Sequence, residues 1–335
     1  MKKTLQQLFA HQALSRAQAR EALLQLSEGG ANKSEIAAFM TVYCMRSIAA
    51  DELAGFRDAL LECAVKTDLG DYALTDVCGT GGDGKNTFNI STLVCFVVAA
   101  AGVPVAKHGN NGVSSASGSS DVLRYFGYRF PDNSDQLRRE LDGCGVCFLH
   151  APVFHPALKQ VAEVRREFGM KTFFNMLGPL VNPAQPKHQL IGVFNPELAR
   201  VYHYLCQQQA VNYTIVHSFD GYDEVSLTGP VKLFRQHEEA IYAPADFGSA
   251  GLQAAALYGG STPEDAARLF SNILNGKGTA AQNEVVTVNA ALALLCAGVT
   301  SEFATARERA ATALHSGAAA QTFERLLTIN KKYTC

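Results

Sequence analysis

The run GTGGDGKNTFNIST, Gly79 to Thr92, follows an apolar strand pattern (Ala73 to Cys78) and opens an apolar helix pattern (Ile90 to Ala101), and this junction constrains the fold most. A strand that turns through glycines straight into a helix N-terminus aims backbone N–H groups and the positive end of a helix dipole at one spot. Such a spot binds anions. Gly102 stops the helix and Val103 to Lys107 resumes as a strand. The spacing predicts a strand, loop, helix, strand unit of a parallel α/β sheet.

Two standard nucleotide loops compete for these glycines, and neither fits. Gly79, Gly81 and Gly84 have the dinucleotide spacing, but that motif wants an acidic residue about 20 positions on, at the end of the next strand. Here that strand ends in Lys107 and His108. Gly79, Gly84 and Lys85 have the spacing of a nucleoside triphosphate loop, yet Asn86 stands where a hydroxyl must hold magnesium, and Thr87 comes one residue late. What remains is a phosphate cradle supplemented by Asp83, Lys85, Asn86, Thr87, Asn89, Ser91 and Thr92. A plain turn capped by Asn89, Ser91 or Thr92 accounts for the cap, but leaves Asp83 and the four glycines unexplained. Asp83 points to a metal bridging the anion, because magnesium binds phosphates through one or two carboxylates and keeps its waters.

A second loop, KHGNNGVSSASGSSD from Lys107 to Asp121, closes the next strand and is rich in glycine and serine. Adjacent parallel strands deliver consecutive loops to the same sheet edge, where open α/β folds bind their ligands. Further strands are predicted at Val146 to His150, Gln189 to Phe194, Tyr213 to Ser218 and Ala240 to Tyr242, with helices between several of them. Asn195 before Pro196 and Thr262 before Pro263 are helix starts.

From Leu5 to Val65 the apolar residues recur at helical spacing, which predicts a helical bundle segment. Ser15 with Gln18 reads as a capping box, Gly29 and Gly30 as a stop, and Ser34 as the next start. The segment Ala157 to Asn182 turns helical again without an intervening strand, as expected of a crossing between domains or of a surface helix pair.

Composition narrows the function. Twenty-nine basic and 31 acidic residues leave a net charge of −2, which argues against a nucleic-acid footprint. Nine scattered cysteines do not make the dense framework of a secreted domain and fit a reducing cytoplasm. Gln6, Gln7 and His11 interrupt the apolar stretch a signal peptide needs. The longest apolar run, Leu93 to Ala106, is broken by Gly102 and Pro104, so no membrane span is expected. Cys144 and Cys147 form an isolated CxxC in an apolar stretch, read as buried thiols. Asp223 and Glu224, taken alone, read as a solvated turn.

The two loops, together with VRREFGMKTFFNMLGPLVNPA (Val164 to Ala184), FDGYDEVSLTG (Phe219 to Gly229) and Val288-Asn289-Ala290-Ala291, resemble the anthranilate phosphoribosyltransferase family over nearly the whole chain. The resemblance implies a small N-terminal helical domain over 1–70, joined by helices from about 157–185, and a larger α/β domain with a mostly parallel sheet over 71–335. It implies transfer of a phosphoribosyl group from phosphoribosyl pyrophosphate to anthranilate in tryptophan biosynthesis, by a cytoplasmic homodimer that uses Mg2+. The donor would be held by Gly79, Gly82, Asp83, Thr87, Asn89, Ser91, Thr92, Lys107 and Ser119. Asp223 and Glu224 match the acidic pair for magnesium, with Ser91 beside them. Gly79, Asn110 and Arg165 would contact anthranilate, with His108 and Pro179 lining its path. Asn111 departs from the arginine frequent in the family, which leaves Arg165 as the main cation for the acceptor carboxylate.

On that footing catalysis is leaving-group stabilisation and positioning, with no obligatory general base, because the arylamine is already neutral. Two alternatives stay open: a pyrimidine nucleoside phosphorylase, which would take inorganic phosphate and a base, and a non-catalytic nucleic-acid-binding relative, which would need a basic surface.

Overall fold

The computed structural model describes residues 1–112 and 116–333. Val113, Ser114 and Ser115 of the second loop, and Cys335, lie outside the described residues. The chain forms two compact units, Met1–Lys66 with Ala151–Pro183, and Thr67–His150 with Ala184–Cys335. Helices α1 (Lys2–Phe9), α2 (Arg16–Ser27), α3 (Lys33–Met45) and α4 (Ala50–Cys63) open the chain. Strand β1 (Thr75–Gly79), α5 (Ile90–Ala100), β2 (Val105–Gly109), α6 (Ser119–Tyr125), α7 (Ser134–Cys144) and β3 (Val146–His150) follow. Short α8 (Ala151–Phe154) and α9 (Lys159–Phe168) lead into single 3-10 turns at Phe173–Met176 and Gly178–Leu180. The remainder is β4 (His188–Gly192), α10 (Pro196–Gln207), β5 (Asn212–Ser218), β6 (Val231–Arg235), β7 (Glu238–Tyr242), α11 (Pro263–Leu274), α12 (Ala280–Cys296), α13 (Phe303–His315) and α14 (Ala318–Tyr333).

In the helical unit the rings of Phe39, Tyr43, Phe56 and Phe173 pack at centroid separations of 4.6 to 5.8 Å. Beside them Glu52 is fully buried, and it is satisfied by Leu14 N–H, Ala49 N–H, the Tyr43 hydroxyl and the Arg46 guanidinium. A buried charge so bonded fixes the α1–α2 connection on α4. The Ser15–Gln18 capping box forms as read. The start of α3 does not: Asn32 is the cap, because its Oδ1 accepts from Glu35 N–H at 3.0 Å while Asn32 N–H donates to the Glu35 carboxylate at 3.1 Å. Ser34 therefore falls inside the first turn.

Among the described residues of the other unit, seven strands form one sheet in the order β3-β2-β1-β4-β5-β6-β7. Pairs from β3 through β5 are parallel and the last two are antiparallel. The chain moves outward from β1 to β3 and then returns to lay β4 on the opposite side of β1. That reversal is a topological switch point, where the loops on either side diverge and leave a crevice. Helix α5 is apolar all round and has Leu93 through Val98 buried, so it belongs to the core rather than the surface. Burying each such Leu, Val or Phe contributes roughly 1.5–3 kcal/mol. The core thus clamps the helix that the glycine loop leads into. The caps at Asn195 and Thr262 form before Pro196 and Pro263. The β6–β7 hairpin extends beyond the sequence expectation, which covers only Ala240 to Tyr242.

Candidate active site

The register of β1 on β4 sets Gly79 directly beside Gly192 at the switch point. Gly192 must lack a side chain, because a Cβ there would strike the Asp223 backbone carbonyl, and a Cβ on Gly79 would displace the Asp223 carboxylate. The acidic turn after β5 therefore lies across the ends of the two central strands. Asp223 Oδ2 accepts from Gly81 N–H at 2.7 Å. Glu224 Oε1 accepts from the Ser91 N–H at 3.0 Å and the Ser91 hydroxyl at 2.7 Å. One carboxylate is thus tied to the glycine loop and the other to the N-terminus of α5. The solvated turn suggested by two adjacent acids in isolation is replaced by a gathered pair, with Asp223 only 8 % exposed.

Burial first, and then mutual repulsion within the group formed by Asp223, Glu224 and Asp83, pushes both carboxyls above the usual carboxylate range. Two crowded acids that resist ionisation together are an electrostatic environment that a divalent cation relieves. No group of three or more His, Cys, Asp or Glu side chains suited to a metal occurs among the described residues. The donor set of two carboxylates and a serine hydroxyl nonetheless suits Mg2+, which takes few protein ligands and completes its shell with phosphate oxygens and water.

The glycine loop is pinned to its surroundings by side-chain amides. Asn86 has φ +47°, its Nδ2 donates to Gly260 C=O at 2.8 Å, and its Oδ1 accepts from Ala116 N–H at 3.0 Å. Thr87 pairs with Tyr258 in an isolated bridge. Asn89 occupies the cap position of α5 without capping it; its Nδ2 donates instead to Ser117 C=O at 3.0 Å, and its buried Oδ1 is left without a hydrogen bond. Two asparagines thus bridge the two loops, and an acceptor within the cradle is unfilled. Asp83 Oδ1 accepts from Lys85 N–H at 3.0 Å, shaping the turn, and the Lys85 ammonium stands 4.8 Å over the Tyr222 ring. Thr92 lies buried one residue beyond Ser91 in the first turn of α5.

At the second loop, Lys107 is 4 % exposed and its ammonium donates to Val77 C=O at 2.5 Å. His108 is buried on β2, with its N–H on Asp76 Oδ1 at 3.3 Å. Asn110 C=O accepts from Ser120 N–H at 3.2 Å and from the Ser119 hydroxyl at 3.4 Å. Asn111 accepts from Arg124 of α6 at 3.2 Å, so a cation does stand at this loop, supplied by the following helix. In the helical unit, Arg165 on α9 lies 4.8 Å over the Phe174 ring, and burial lowers its pKa from the ordinary guanidinium value. Pro179 is buried in its 3-10 turn. The CxxC carries no site chemistry, since Cys147 is fully buried and Cys144 is pushed up to about 12 by burial.

A family model described as glycosyl transferase family, helical bundle domain, matches residues 2–64, and one described as glycosyl transferase family, a/b domain, matches residues 71–320. An anthranilate phosphoribosyltransferase of Flavobacterium johnsoniae is 54% identical over 88% of this chain and 89% of its own. The chain belongs to the anthranilate phosphoribosyltransferase family. A second anthranilate phosphoribosyltransferase, from Christiangramia forsetii, is 50% identical over 99% of this chain and all of its own. Among solved structures, the anthranilate phosphoribosyltransferase of Thermus thermophilus superposes with TM-score 0.91 at 31% identity, covering 98% of this chain and 99% of that one. The enzyme of Saccharomyces cerevisiae in complex with phosphoribosyl pyrophosphate and Mg superposes with TM-score 0.90 at 25% identity, covering 98% and 97%.

Sequence reasoning does not single out Gly192 or Arg124, and it gives Asn86 no bridging role. Gly192 acquires its role only through the sheet register, Arg124 through Asn111 on the preceding loop, and Asn86 through Ala116 and Gly260, 30 and 174 residues away.

Proposed function

We propose that this protein transfers the phosphoribosyl group of phosphoribosyl pyrophosphate to the amine of anthranilate, with release of pyrophosphate, as a step of tryptophan biosynthesis. The observation that carries this reading is the Asp223–Glu224 pair held on Gly81 N–H and Ser91 at the mouth of the glycine loop. Asp223, Glu224 and Ser91 are the proposed holders of Mg2+. When bound, that ion neutralises charge on the departing pyrophosphate.

In the reaction the bond from the anomeric carbon to the pyrophosphate oxygen breaks, and its electron pair leaves with pyrophosphate. The amine nitrogen forms the new bond to the same carbon and gives up one proton to water. Gly79, Gly82, Asp83, Thr87, Asn89, Ser91, Thr92, Lys107 and Ser119 are the proposed donor-binding residues. Loop amides and the α5 N-terminus offer fixed dipoles where negative charge grows, which needs no reorganisation during the reaction. Gly79, His108, Asn110, Arg165 and Pro179 are the proposed acceptor residues, Arg165 as a guanidinium partner for the carboxylate. A neutral aromatic amine needs orientation rather than deprotonation, so His108 is assigned positioning and not base catalysis.

We further propose a cytoplasmic homodimer. Exposed Phe9, Met45 and Met170 on the helical unit offer apolar surface for a second copy, and no disulfide joins the described cysteines. No helix of the described residues is long and apolar enough to cross a membrane.

Loss of anthranilate fluorescence, followed with phosphoribosyl pyrophosphate and Mg2+ present and with each omitted in turn, tests the reaction. The proposal expects turnover only with all components. Turnover of a pyrimidine nucleoside with inorganic phosphate, and none of anthranilate, would replace it with a phosphorylase.

A further inference from the structure

Helix α12 is almost wholly apolar where it crosses the core, yet Asn289 stands in its middle at 3 % exposure among Val285, Val286, Val288 and Ala290. A primary amide in such surroundings is unfavourable unless its donors and acceptor are bonded. They are. Its Nδ2 donates to Val285 C=O at 2.9 Å within the helix and to Val225 C=O at 2.9 Å, while its Oδ1 accepts from Val225 N–H at 3.1 Å. Val225 follows Glu224 directly, is 1 % exposed, and lies in the stretch between β5 and β6 where no ladder serves its backbone. The amide of Asn289 therefore acts on it as a neighbouring strand would, with one donor and one acceptor in a plane.

We propose that Asn289 is a positioning residue for the acidic pair, fixing the backbone after Glu224 so that both carboxylates stand in place before the cation and diphosphate arrive. The inference rests on the reading of Asp223 and Glu224 as magnesium holders. Three further observations converge on it. The Ser218 hydroxyl donates to Glu224 C=O at 2.6 Å, gripping the same residue from its other side. Leu227, buried, is held at φ +59° with its C=O accepting from Leu252 N–H at 2.8 Å, a left-handed backbone that a bulky side chain adopts only where its surroundings impose it. Asn289 also lines a small cavity together with Ser91, Asp223 and Glu224.

Asparagine is the side chain this task requires. Aspartate accepts but does not donate, would strand Val225 C=O, and would add a third carboxylate to a group already crowded with negative charge. Alanine strands both backbone groups. Outer partners of metal ligands commonly set affinity by 10- to 100-fold when removed, through loss of orientation rather than of a ligand.

The test is calorimetric titration of phosphoribosyl pyrophosphate with Mg2+ into the full-length protein without anthranilate, for wild type, Asn289→Ala and Ser218→Ala. Thr287→Val, which removes only a helix-internal bond from Thr287 Oγ1 to Asn283 C=O, serves as control. Expected are a loss of donor affinity of about 10-fold or more in Asn289→Ala, partly restored by raised Mg2+, a smaller loss in Ser218→Ala, and wild-type affinity in Thr287→Val. Michaelis constants should shift for the donor and not for anthranilate. A fall in melting temperature with donor affinity unchanged within twofold would overturn the proposal by making Asn289 a core residue only. Should Asn289→Ala not fold, Ser218→Ala decides, and wild-type donor affinity there counts against it. If wild type itself takes up no donor with Mg2+, the underlying functional reading fails, which is a separate result.

Discussion

Substituting Gly192 by alanine probes the strand-end crevice with one methyl group. The added Cβ would strike the Asp223 carbonyl oxygen and lie 2.7 Å from its carbonyl carbon. Both are backbone atoms, so no side-chain rotation relieves the contact. The oxygen is the nearer of the two, and restoring a separation of roughly 3.5 Å from it displaces the Asp223 peptide by about 2 Å. The 2.7 Å bond from Gly81 N–H to Asp223 would then stretch past the usual limit of about 3.2 Å. Overpacking of this kind costs about 1–3 kcal/mol, and losing a hydrogen bond to a carboxylate about 1.5–3 kcal/mol more. For function the displacement matters more, since a misplacement of about 1 Å in a reacting constellation can cost on the order of 100-fold. Gly192→Ala should therefore fold with reduced melting temperature and lose on the order of 100-fold in kcat/KM for phosphoribosyl pyrophosphate. Steady-state kinetics with magnesium titrated, beside circular dichroism, measures both. Wild-type kcat/KM in a folded Gly192→Ala protein would refute the placement of Asp223 across the strand ends.

Three other perturbations separate the parts of the site and of the core. Arg165→Ala should raise the Michaelis constant for anthranilate more than that for the donor; the opposite order in steady-state kinetics removes Arg165 from the acceptor site. His108→Ala should leave a measurable chemical step in single-turnover experiments, whereas its abolition with both substrates bound would restore a general base. Glu140, fully buried against the Tyr128 hydroxyl and Asn330, is pushed by burial from the ordinary 4.5 up to about 7. Between those values the folded protein keeps a proton that the unfolded chain has lost, so this contribution is present below pH 4.5 and lost as pH rises through 7. The difference, 7 − 4.5 = 2.5, corresponds to about 3 kcal/mol. Glu140→Gln should flatten the decline in melting temperature between pH 5 and pH 8, and an identical slope in the variant would exclude Glu140 as its source.

Local chemistry makes much of this fold legible. The glycine loop, its flanking strand and helix, and the Ser15, Asn195 and Thr262 caps are short-range devices whose residues are adjacent in the chain. The β6 strand is less legible because Lys232 and Arg235 interrupt its apolar residues, as suits a strand near the sheet margin. Ser34 misleads as a helix start because Asn32 and Glu35 offer an equally local and reciprocal pair two residues earlier. The site itself depends on long-range partners: Gly81 with Asp223, Ser91 with Glu224, and Val225 with Asn289 are separated by 142, 133 and 64 residues. No periodicity within a window announces such pairings, and only the sheet register makes Gly192 indispensable. The resemblance supplied Asp223 and Glu224; geometry supplies what holds them.

The most direct measurement is an anomalous difference map from crystals grown with phosphoribosyl pyrophosphate and Mn2+ in place of Mg2+. A manganese peak within coordinating distance, roughly 2.0–2.3 Å, of Asp223 or Glu224 oxygens, with diphosphate density against residues 79–92, is the expected result. Diphosphate bound elsewhere, or manganese remote from both carboxylates, would contradict it.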